Sequence, residues 1–276
     1  MQVQVQDSRR AFSRPRPRPC PAPGHTEFMI LADMTWKEVD ALDRNTIVLI
    51  PTGSLEQHGA HLPLLTDSLL AAAATSAVEK RTSDQVLLTP CVWLGASGHH
   101  LNFAGTCSAS MEGYVATLTA IVESMMRHGF HRFLIINGHG GNNEPNGVAF
   151  RALKEKNNNL TLGHIGYYTF GEAVVQEVME GPAKGIQHAC EAETSLMMHL
   201  YPDKVRMDKL RNDGLRTEPP TQSLVKMWDE VSEEGSLGFA TLATAAKGKK
   251  IFDACVDGIV AEVNAIHGGV IYVGNF

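Results

Sequence analysis

The chain has 276 residues, of which 43% are hydrophobic and 20% are charged, and its formal net charge at pH 7 is -6. This composition supplies a sizeable apolar core, and the length fits one large α/β domain. The mildly acidic balance does not favour nucleic acid or an anionic membrane as a partner, and no apolar run approaches the roughly 18 residues that a membrane helix needs.

The five cysteines are widely spaced and form no CxxC pair. The spacing therefore indicates neither a disulfide framework nor a thiolate zinc site. Free cysteines are typical of a reducing compartment, so we expect a cytoplasmic protein. The cysteines are Cys20, Cys91, Cys107, Cys190 and Cys255.

The beginning of the chain alternates arginine with proline, as in Arg14–Pro19. Such a composition favours an extended chain and cannot build a core, and it lacks the apolar centre of a secretory signal. We predict a disordered tail over residues 1–28, with a peptide-docking arm as the alternative. A single folded domain is expected over residues 29–276.

Four short apolar runs, rich in β-branched or aromatic residues, are bounded by turn signals and are predicted to be strands. Their apolarity is continuous rather than alternating, which is typical of strands covered on both faces. The predicted strands are Thr46–Ile50, Val86–Pro90, Arg132–Ile136 and Thr161–Tyr168.

Longer segments with apolar residues at helical spacing separate and follow these strands. Some carry end signals, such as Thr66 as an N-cap before the first helix and Gly129 after the second. The predicted helices are Asp67–Lys80, Met111–His128, Asn146–Lys156, Ala192–Leu200, Thr221–Ser232 and Gly248–His267.

The alternation of strands with helices predicts an α/β fold, with a mostly parallel central sheet between two helical layers. In such sheets, binding and catalytic residues gather beyond the carboxyl ends of the strands. Polar residues directly after each predicted strand are therefore the candidates for a functional site.

Glu56 and His58 follow the first predicted strand, and Asp67 comes at the start of the next helix. A carboxylate and an imidazole two residues apart lie on one side of an extended chain. An ionised aspartate has two oxygens and can bridge two ions. Mixed nitrogen and oxygen ligands suit zinc or manganese, and iron as well. The alternative is a loop that merely carries polar residues.

The segment after the second predicted strand contains Ser97, His99, His100, Gly105 and Thr106. Adjacent histidines on an extended chain do not readily face one site. One of them, for which we choose His100, is expected in the pocket. Ser97, Gly105 and Thr106 are candidate hydroxyl or backbone contacts to a substrate.

His139 follows the third predicted strand and is surrounded by three glycines, which permit close backbone approach. Its placement parallels that of His58, which favours a second metal ligand. A glycine-rich turn that opens a helix also suits phosphate. The segment lacks the P-loop lysine and the dinucleotide spacing, so a nucleotide site is the lesser alternative.

His188, Glu191 and Glu193 precede the next predicted helix. If the helix includes all three, Glu191 shares the face of His188 and Glu193 points elsewhere; if it starts later, this geometry does not apply. Spacing therefore leaves both carboxylates open. An acid-rich helix N-terminus, favoured by the helix dipole, is the alternative to a functional role for Glu191.

Four segments together resemble the creatininase (creatinine amidohydrolase) family. In chain order they read GSLEQHGAHLPLLTD, SGHHLNFAGT, NGHGGN and HACEAETS. The resemblance appears over the folded chain from about residue 30 and implies an α/β fold, a hexamer, and hydrolysis of cyclic or formyl amides. The implied nucleophile is a hydroxide that bridges two metal ions.

The resemblance also implies roles for single residues. Glu56 and His139 would bind one ion, His58 the other, and Asp67 both. His188 is similar to the family histidine that shuttles protons at the scissile amide, and Glu191 is retained as a catalytic candidate.

One departure from the family pattern concerns the residues after the motif histidine. Creatininase proper has a tyrosine and a metal-binding glutamate there, whereas this chain has Gly140 and Gly141. Glu193 is our candidate for the missing ligand, and Gly140 is a candidate substrate contact. The pattern resembles the NGHGGN branches of the family, which include formamide deformylases, the mycofactocin peptidase and sugar-ring hydrolases.

A second departure concerns the tryptophans that creatininase proper closes over its substrate. No tryptophan of this chain lies near Tyr168 or His188 in sequence. The sequence thus predicts a two-metal hydrolase of a small amide substrate. The alternatives are creatinine amidohydrolase proper, a ligand-binding module without turnover, and a nucleotide-binding protein.

Overall fold

The computed structural model describes residues 29–82, 84–182, 184–214 and 225–269. The Arg/Pro-rich tail predicted over residues 1–28 lies outside the described residues, so its disorder stays a prediction.

The central sheet has four parallel strands in the order β2-β1-β3-β4. Its register sets Leu49 of β1 opposite Leu88 of β2 and Leu134 of β3. The parallel α/β sheet predicted from the sequence is confirmed. The strands are β1 (Ile47–Thr52), β2 (Val86–Leu88), β3 (Arg132–Asn137) and β4 (Thr161–Gly166).

Seven helices complete the described part of the fold, and those longer than eight residues lie where the sequence predicts helices. Two further strands form a small antiparallel pair near the carboxyl end of the chain. The helices are α1 (Trp36–Ala41), α2 (Thr66–Arg81), α3 (Met111–Arg127), α4 (Asn143–Lys156), α5 (Glu172–Val178), α6 (Glu191–Leu200) and α7 (Ala245–His267), and the strands are β5 (Asn212–Gly214) and β6 (Gly238–Phe239).

Alternate residues of β1 face two different apolar cores. Ile47 and Leu49 pack with α2, α6 and α7, whereas Val48 and Ile50 pack with α3 and α4. Because a strand sends successive side chains to opposite faces, its continuous apolar sequence is explained by helices on both sides. The architecture is therefore the predicted three-layer αβα arrangement.

Helix ends follow the local chemistry of the chain. The hydroxyl of Ser110 caps α3, and that of Thr244 caps α7. Helix α4 begins at Asn143, three residues earlier than predicted, because Pro145 lies in its first turn. A proline there loses no hydrogen bond, since first-turn N–H groups have no partner within a helix.

The helix predicted over Thr221–Ser232 is wrong in its described part. Residues 225–227 are not helical, and Trp228–Glu230 form a single 3-10 turn. The indole N–H of Trp228 donates to the carbonyl of Gly235 at 2.6 Å, which folds the segment back on itself. Residues 221–224 lie outside the described residues.

Strand β4 is the second correction. It is one of the two edge strands and ends at Gly166, and its residues are mostly half-buried or exposed rather than covered on both faces. The predicted continuation to Tyr168 instead turns into a 3-10 helix over Tyr167–Gly171. Among the described residues, we find no helix with the length and apolarity needed to span a membrane.

Candidate metal centre

A cavity of about 360 Å³ opens beyond the carboxyl ends of β1 and β3. Segments that follow these central strands provide Glu56 and His139, while the first turns of α2 and α6 provide Asp67 and Glu193. The side-chain amide of Asn142 ties the loops together by accepting from the N–H of Ala96 and donating to the carbonyl of Gly53, both at 2.9 Å.

Asp67 lies between two histidines and is almost fully buried. Its Oδ1 is 2.9 Å from Nε2 of His58, and its Oδ2 is 3.0 Å from Nδ1 of His139. Oδ2 also accepts a hydrogen bond from the hydroxyl of Ser54 at 2.7 Å. Each carboxylate oxygen thus faces a different imidazole, as in a carboxylate that bridges two cations.

The opposite ring nitrogen of each of these histidines faces protein oxygens. Nδ1 of His58 is 3.2 Å from the carbonyl of Glu56. Nε2 of His139 is 3.3 Å from both the carbonyl of Ala96 and the hydroxyl of Ser97. A neutral imidazole that donates there turns a lone pair, not a proton, toward the carboxylates. This second hydrogen bond is the usual support of a metal-binding histidine.

Glu56 is a buried carboxylate without a hydrogen-bond partner at either oxygen. Oε2 lies 3.2 Å from Nδ1 of His139, and Oε1 lies 3.4 Å from Nε2 of His100. Burial by itself would raise the pKa of Glu56, but the positive field of His139 holds that pKa at about 2. A buried charged group of this kind needs a cation beside it.

The two histidines have raised basicity in the absence of a metal. Burial lowers the pKa of His58, but Asp67 outweighs it and raises that pKa to about 9. For His139, the attraction of Glu56 and Asp67 likewise overcomes burial and lifts the pKa well above the usual value. Either protons or metal ions must separate these imidazoles from the carboxylates.

The donor set therefore fits divalent cations. Three groups of buried side chains each bring three ligand atoms within 4.8 Å of one another. They share members, as expected for neighbouring ions rather than one isolated site. The groups are Glu56 with His58 and Asp67, His58 with His188 and Glu193, and Glu56 with His100 and His188.

His188 lies at the edge of the same cluster. Its Nε2 donates to the carbonyl of Gln57 at 2.7 Å, so its Nδ1, 3.8 Å from Oε1 of Glu56, carries the lone pair. Burial and then the charge of His58 hold the pKa of His188 well below the usual value. His188 is thus a neutral proton acceptor beside the carboxylates, and a strong acid once protonated.

The structure separates the two carboxylates that spacing leaves open. Glu193 lines the cavity, and its Oε2 accepts from the N–H of Ala189 at 2.6 Å. Burial raises the pKa of Glu193 to about 7. Glu191 points away from the cavity and pairs with Lys247 at 2.7 Å. Two residues in a helix differ in direction by about 200°, so only one of the pair can face the cavity.

The position of Glu191 does not support the catalytic role predicted for it. Its two oxygens also accept from the N–H groups of Glu180 and Gly181, each at 3.0 Å. With Lys247, these contacts use the carboxylate fully in joining α6, α7 and the loop that precedes His188.

The predicted substrate-binding residues divide into two groups. His100 and Gly140 line the cavity, and so does His99, so the expectation that only one of the adjacent histidines lies in the pocket is wrong. Gly105, Thr106 and Ser97 do not, because the hydroxyl of Thr106 accepts from the N–H of Gln57 at 3.2 Å, and Ser97 is buried beside His139. Thr106 and Ser97 thus support the metal-site segments from behind, and a direct contact of these three with substrate is not supported.

The two glycines after His139 differ in the space around them. A β-carbon at Gly141 would lie 2.5 Å from Nε2 of His139 and 2.6 Å from the carbonyl of Ala96, so no side chain fits there. A β-carbon at Gly140 would meet nothing within 4 Å. The missing glutamate therefore cannot be restored at Gly141, whereas Gly140 leaves open room in the cavity for substrate.

Sequence reasoning missed three residues that build the site. Gln57 lies within the first motif, but nothing in its spacing shows that it contacts His188, 131 residues away. Tyr168 and Trp228 line the cavity. The expectation that no tryptophan lies near His188 holds in sequence only, because Trp228 packs 4.8 Å from that imidazole in space.

Known proteins resemble this chain in both sequence and structure. The sequence model of the creatininase family, described as creatinine amidohydrolase, matches residues 32–263. The mycofactocin precursor peptide peptidase of Mycobacterium ulcerans is 34% identical over 78% of this chain and 84% of its own length. The creatinine amidohydrolase of Pseudomonas putida is 30% identical over 85% of this chain and 96% of its own length.

Solved structures agree with the sequence relatives. A crystal structure of creatinine amidohydrolase superposes with a TM-score of 0.76 at 30% identity and covers 87% of this chain and 98% of that one. Solved creatininases include a zinc form and a manganese form.

Proposed function

The chain belongs to the creatininase family and is a hydrolase of carbon–nitrogen bonds, and from this premise we propose that it cleaves an amide other than creatinine with the aid of two divalent metal ions. Zinc or manganese is the proposed metal, and iron also suits the ligand types. The proposed substrate is a small formamide, cyclic amide or peptide-like amide.

The observation that carries this proposal is the pair of histidines on the two oxygens of Asp67. Glu56, His139 and Asp67 would hold one ion, while His58, Glu193 and Asp67 would hold the other. The orphaned oxygens of Glu56 and the lone pairs directed at the carboxylates support bound cations here, whereas the division of Glu56, His58 and His139 between the two ions follows the family resemblance. Bound ions would supply a coordinated water of lowered pKa as the nucleophile near neutral pH.

The proposed mechanism assigns proton transfer to His188. Its Nδ1 faces the carboxylate cluster and would accept the proton of the attacking water. The same nitrogen would then give the proton to the leaving nitrogen. A low pKa helps this second step, and general acid–base catalysis of this kind contributes roughly 10²- to 10⁴-fold.

The glycines after His139 support a substrate other than creatinine. Creatininase proper places two functional side chains there, and this chain offers open space at Gly140 and none at Gly141. A peptide-like or formyl amide is supported by the similarity to the mycofactocin precursor peptide peptidase. Creatinine hydrolysis remains the alternative and is tested in the same assay.

A binding module without turnover is the alternative outside enzymes. A nucleotide site is less well supported, because no lysine or arginine is among the described residues that line the cavity. Nucleotide released on denaturation would favour that alternative.

The deciding experiment combines metal analysis with a hydrolysis screen. We expect about two zinc or manganese ions per chain, loss of hydrolysis after chelation, and recovery on metal addition. The screen covers lactams, formamides, small peptides and creatinine. Full hydrolysis by metal-free protein would contradict the proposed metal-dependent hydrolysis. Saturable binding without turnover would favour the binding module.

Asp67→Asn tests the bridging role separately. We expect the bound metal to fall to one ion or fewer per chain, whereas Asp257→Asn, at an exposed ion pair with Arg81, is the matched control that keeps both ions. Unchanged metal content in Asp67→Asn would make the bridging role wrong.

A homohexamer and a cytoplasmic location stay predictions, and light scattering of the purified protein tests the first.

A further inference from the structure

Residues 228–237, which we name the strap, cover one side of the cavity. Trp228 and Leu237 at its two ends both line the cavity wall. The N–H of Leu237 donates to the carbonyl of His188 at 2.8 Å, so the strap joins the segment that carries the proposed proton shuttle. Nothing in the sequence pattern predicts this placement.

The indole of Trp228 packs on the imidazoles of the site. Its ring is stacked on His100, with 4.8 Å between centroids and 24° between planes. It meets His188 edge-on, at 4.8 Å and 65°. The ring therefore borders both the proposed proton shuttle and a neighbour of Glu56.

Several contacts fix the strap in this position. The side-chain N–H of Gln57 and the indole N–H of Trp228 both donate to the carbonyl of Gly235, at 2.9 and 2.6 Å. Gly235 has a φ of +83°, and a β-carbon there would collide with the amide of Gln57. Asn102 donates to the carboxylate of Asp229 at 3.0 Å. These contacts therefore hold the side chain of Trp228 in one position at the cavity wall.

The wall around Trp228 has a definite chemistry. Tyr168, Ile186 and Leu237 line the same cavity. No lysine or arginine is among the described lining residues, so none of these residues offers a permanent positive charge to an anionic substrate group. Aromatic rings prefer offset-stacked or edge-to-face neighbours, which favours a flat, uncharged group beside the indole.

We propose that Trp228 is a specificity-determining residue, which selects amides that carry an uncharged planar ring next to the scissile bond. The proposal rests on the proposed amide hydrolysis, whose substrate class it narrows. The relevant preference is for a planar ring over a saturated ring of similar size, because burial of apolar area alone does not distinguish these two.

The test compares N-benzylformamide with N-(cyclohexylmethyl)formamide, whose rings have the same number of atoms but differ in planarity and whose leaving groups are both alkylamines. With zinc-loaded protein, we expect N-benzylformamide to be preferred in kcat/KM by a factor of about 3 to 10. Trp228→Leu should lose this preference through a higher KM for N-benzylformamide. Trp228→Phe should keep most of it, because phenylalanine retains an aromatic face.

The matched control is Trp36→Leu, since Trp36 lies on α1 and is 74% exposed. This variant should keep the wild-type preference. Metal content, measured for every variant, should stay at the wild-type value, because Trp228 holds no ion. Loss of metal in Trp228→Leu would mean that the tryptophan supports the metal site instead, and would overturn the proposal.

A binding measurement separates this proposal from the proposed function. The chain has three tryptophans, so the double variant Trp36→Phe, Trp93→Phe leaves Trp228 as the only indole. Its fluorescence should respond to N-benzylformamide at lower concentrations than to N-(cyclohexylmethyl)formamide. If neither amide is hydrolysed but this preference is seen, the proposed function fails and the role of Trp228 stands. Equal responses, or none with either amide, would overturn the role of Trp228 whatever the hydrolysis shows.

Discussion

Three histidines of the site each have one ring nitrogen that faces oxygens of the protein. A hydrogen bond donated there leaves a lone pair on the other ring nitrogen. His58 and His188 donate to backbone carbonyls of the first motif, at 3.2 and 2.7 Å. His139 faces the segment after β2 in the same way. In all three, the nitrogen left over is directed at carboxylates. The site is therefore arranged for cations before any ion binds, as preorganised metal sites require.

Gln57 fixes the tautomer of His100 in a similar way, through a hydrogen bond to one ring nitrogen. Its amide N–H groups reach Nδ1 of His100 at 2.9 Å and the carbonyl of Gly235 at 2.9 Å. Because Nδ1 accepts, the proton of neutral His100 sits on Nε2, which lies 3.4 Å from Oε1 of Glu56. Gln57→Met removes both donors at nearly constant volume, so we expect His100 to lose its single tautomer. Long-range ¹H–¹⁵N NMR of the imidazoles measures this directly.

The same variant should also lower kcat/KM by about tenfold or more, as expected when supporting hydrogen bonds of a metal site are lost. Gln85→Met is the control, because Gln85 pairs with Asn264 away from the cavity. A single unchanged His100 tautomer in Gln57→Met would show that Gln57 does not set it.

Metal binding should release protons at neutral pH. Without metal, His58 has a pKa of about 9 and is protonated at pH 7, whereas Glu56, with a pKa of about 2, has already lost its proton. Zinc must displace the proton of His58, so zinc affinity should rise with pH at least up to about 9.

Calorimetry in two buffers of different ionisation heat counts the released protons. At pH 7 we expect more than one proton per chain, because the pKa of His139 is raised as well, with a further part from Glu193, whose pKa is about 7. Above pH 9 the number should fall, because His58 is then already neutral. A binding heat that is independent of the buffer at pH 7 would contradict the protonated state of His58.

At the scale of elements, the first turn of α6 separates a structural carboxylate from a functional one. Glu191 joins α6 to Lys247 of α7, and Glu193 faces the cavity. Glu191→Gln should lower the free energy of unfolding by about 1–3 kcal/mol at neutral pH, because hydrogen bonds to a charged group are lost, and should leave the metal content unchanged. Glu193→Gln should lower the metal content instead.

The two variants should also differ in how pH affects stability. The pKa of Glu191 is lowered in the fold despite burial, because Lys247 and two N–H groups favour the carboxylate. Its stabilisation is present at neutral pH and is lost as pH falls through the folded pKa, so the deficit of Glu191→Gln should shrink in acid. The pKa of Glu193 is raised, so metal-free wild type should lose more stability than metal-free Glu193→Gln as pH rises toward 7. Urea unfolding at pH 4, 6 and 8 checks both trends.

The sequence predicts elements well where one local pattern decides them. Continuous apolar runs locate β1, β2 and β3, because strands inside a covered parallel sheet have no polar face. The exposed edge strand β4 and the segment around Trp228 differ, since contacts from distant parts of the chain determine them. The hydrogen bond between Trp228 and Gly235 has no periodic signature.

The residues of the site are likewise predictable only where a local sequence pattern decides their position. Glu56, His58 and His139 are predictable because they follow strands of a parallel sheet. The choice between Glu191 and Glu193 is not, because it depends on where α6 begins, and a shift of one residue turns a helix by about 100°. The role of Gln57 depends on contacts with residues 43 and 131 positions away, which no local pattern contains.

For the whole molecule, the proposed ions would connect parts of the chain that the sheet alone does not hold together. β1 and β3 are neighbours at the centre of the sheet, so the segments after them meet between the two helical layers. Asp67 and Glu193 come from helices that pack in one layer, and Ala96 behind His139 belongs to the other core. Bound ions would therefore link α2 and α6 to the segments that follow β1 and β3.

This linkage predicts that metal stabilises the entire fold. Each ion that binds the folded chain alone adds about 2.7 kcal/mol to the free energy of unfolding at 100 times its Kd. For a chain of this size that corresponds to a rise in Tm of roughly 5–10 °C, which calorimetry with and without chelator measures. Asp67→Asn should lose most of this rise, because one residue serves both ions, while Asp257→Asn should keep it. An equal rise in wild type and Asp67→Asn would mean that the stabilising metal binds elsewhere. Without metal, Asp67→Asn should be less stable than wild type by at most about 3 kcal/mol, the scale of hydrogen bonds to a buried charge. The variant therefore remains folded for the comparison.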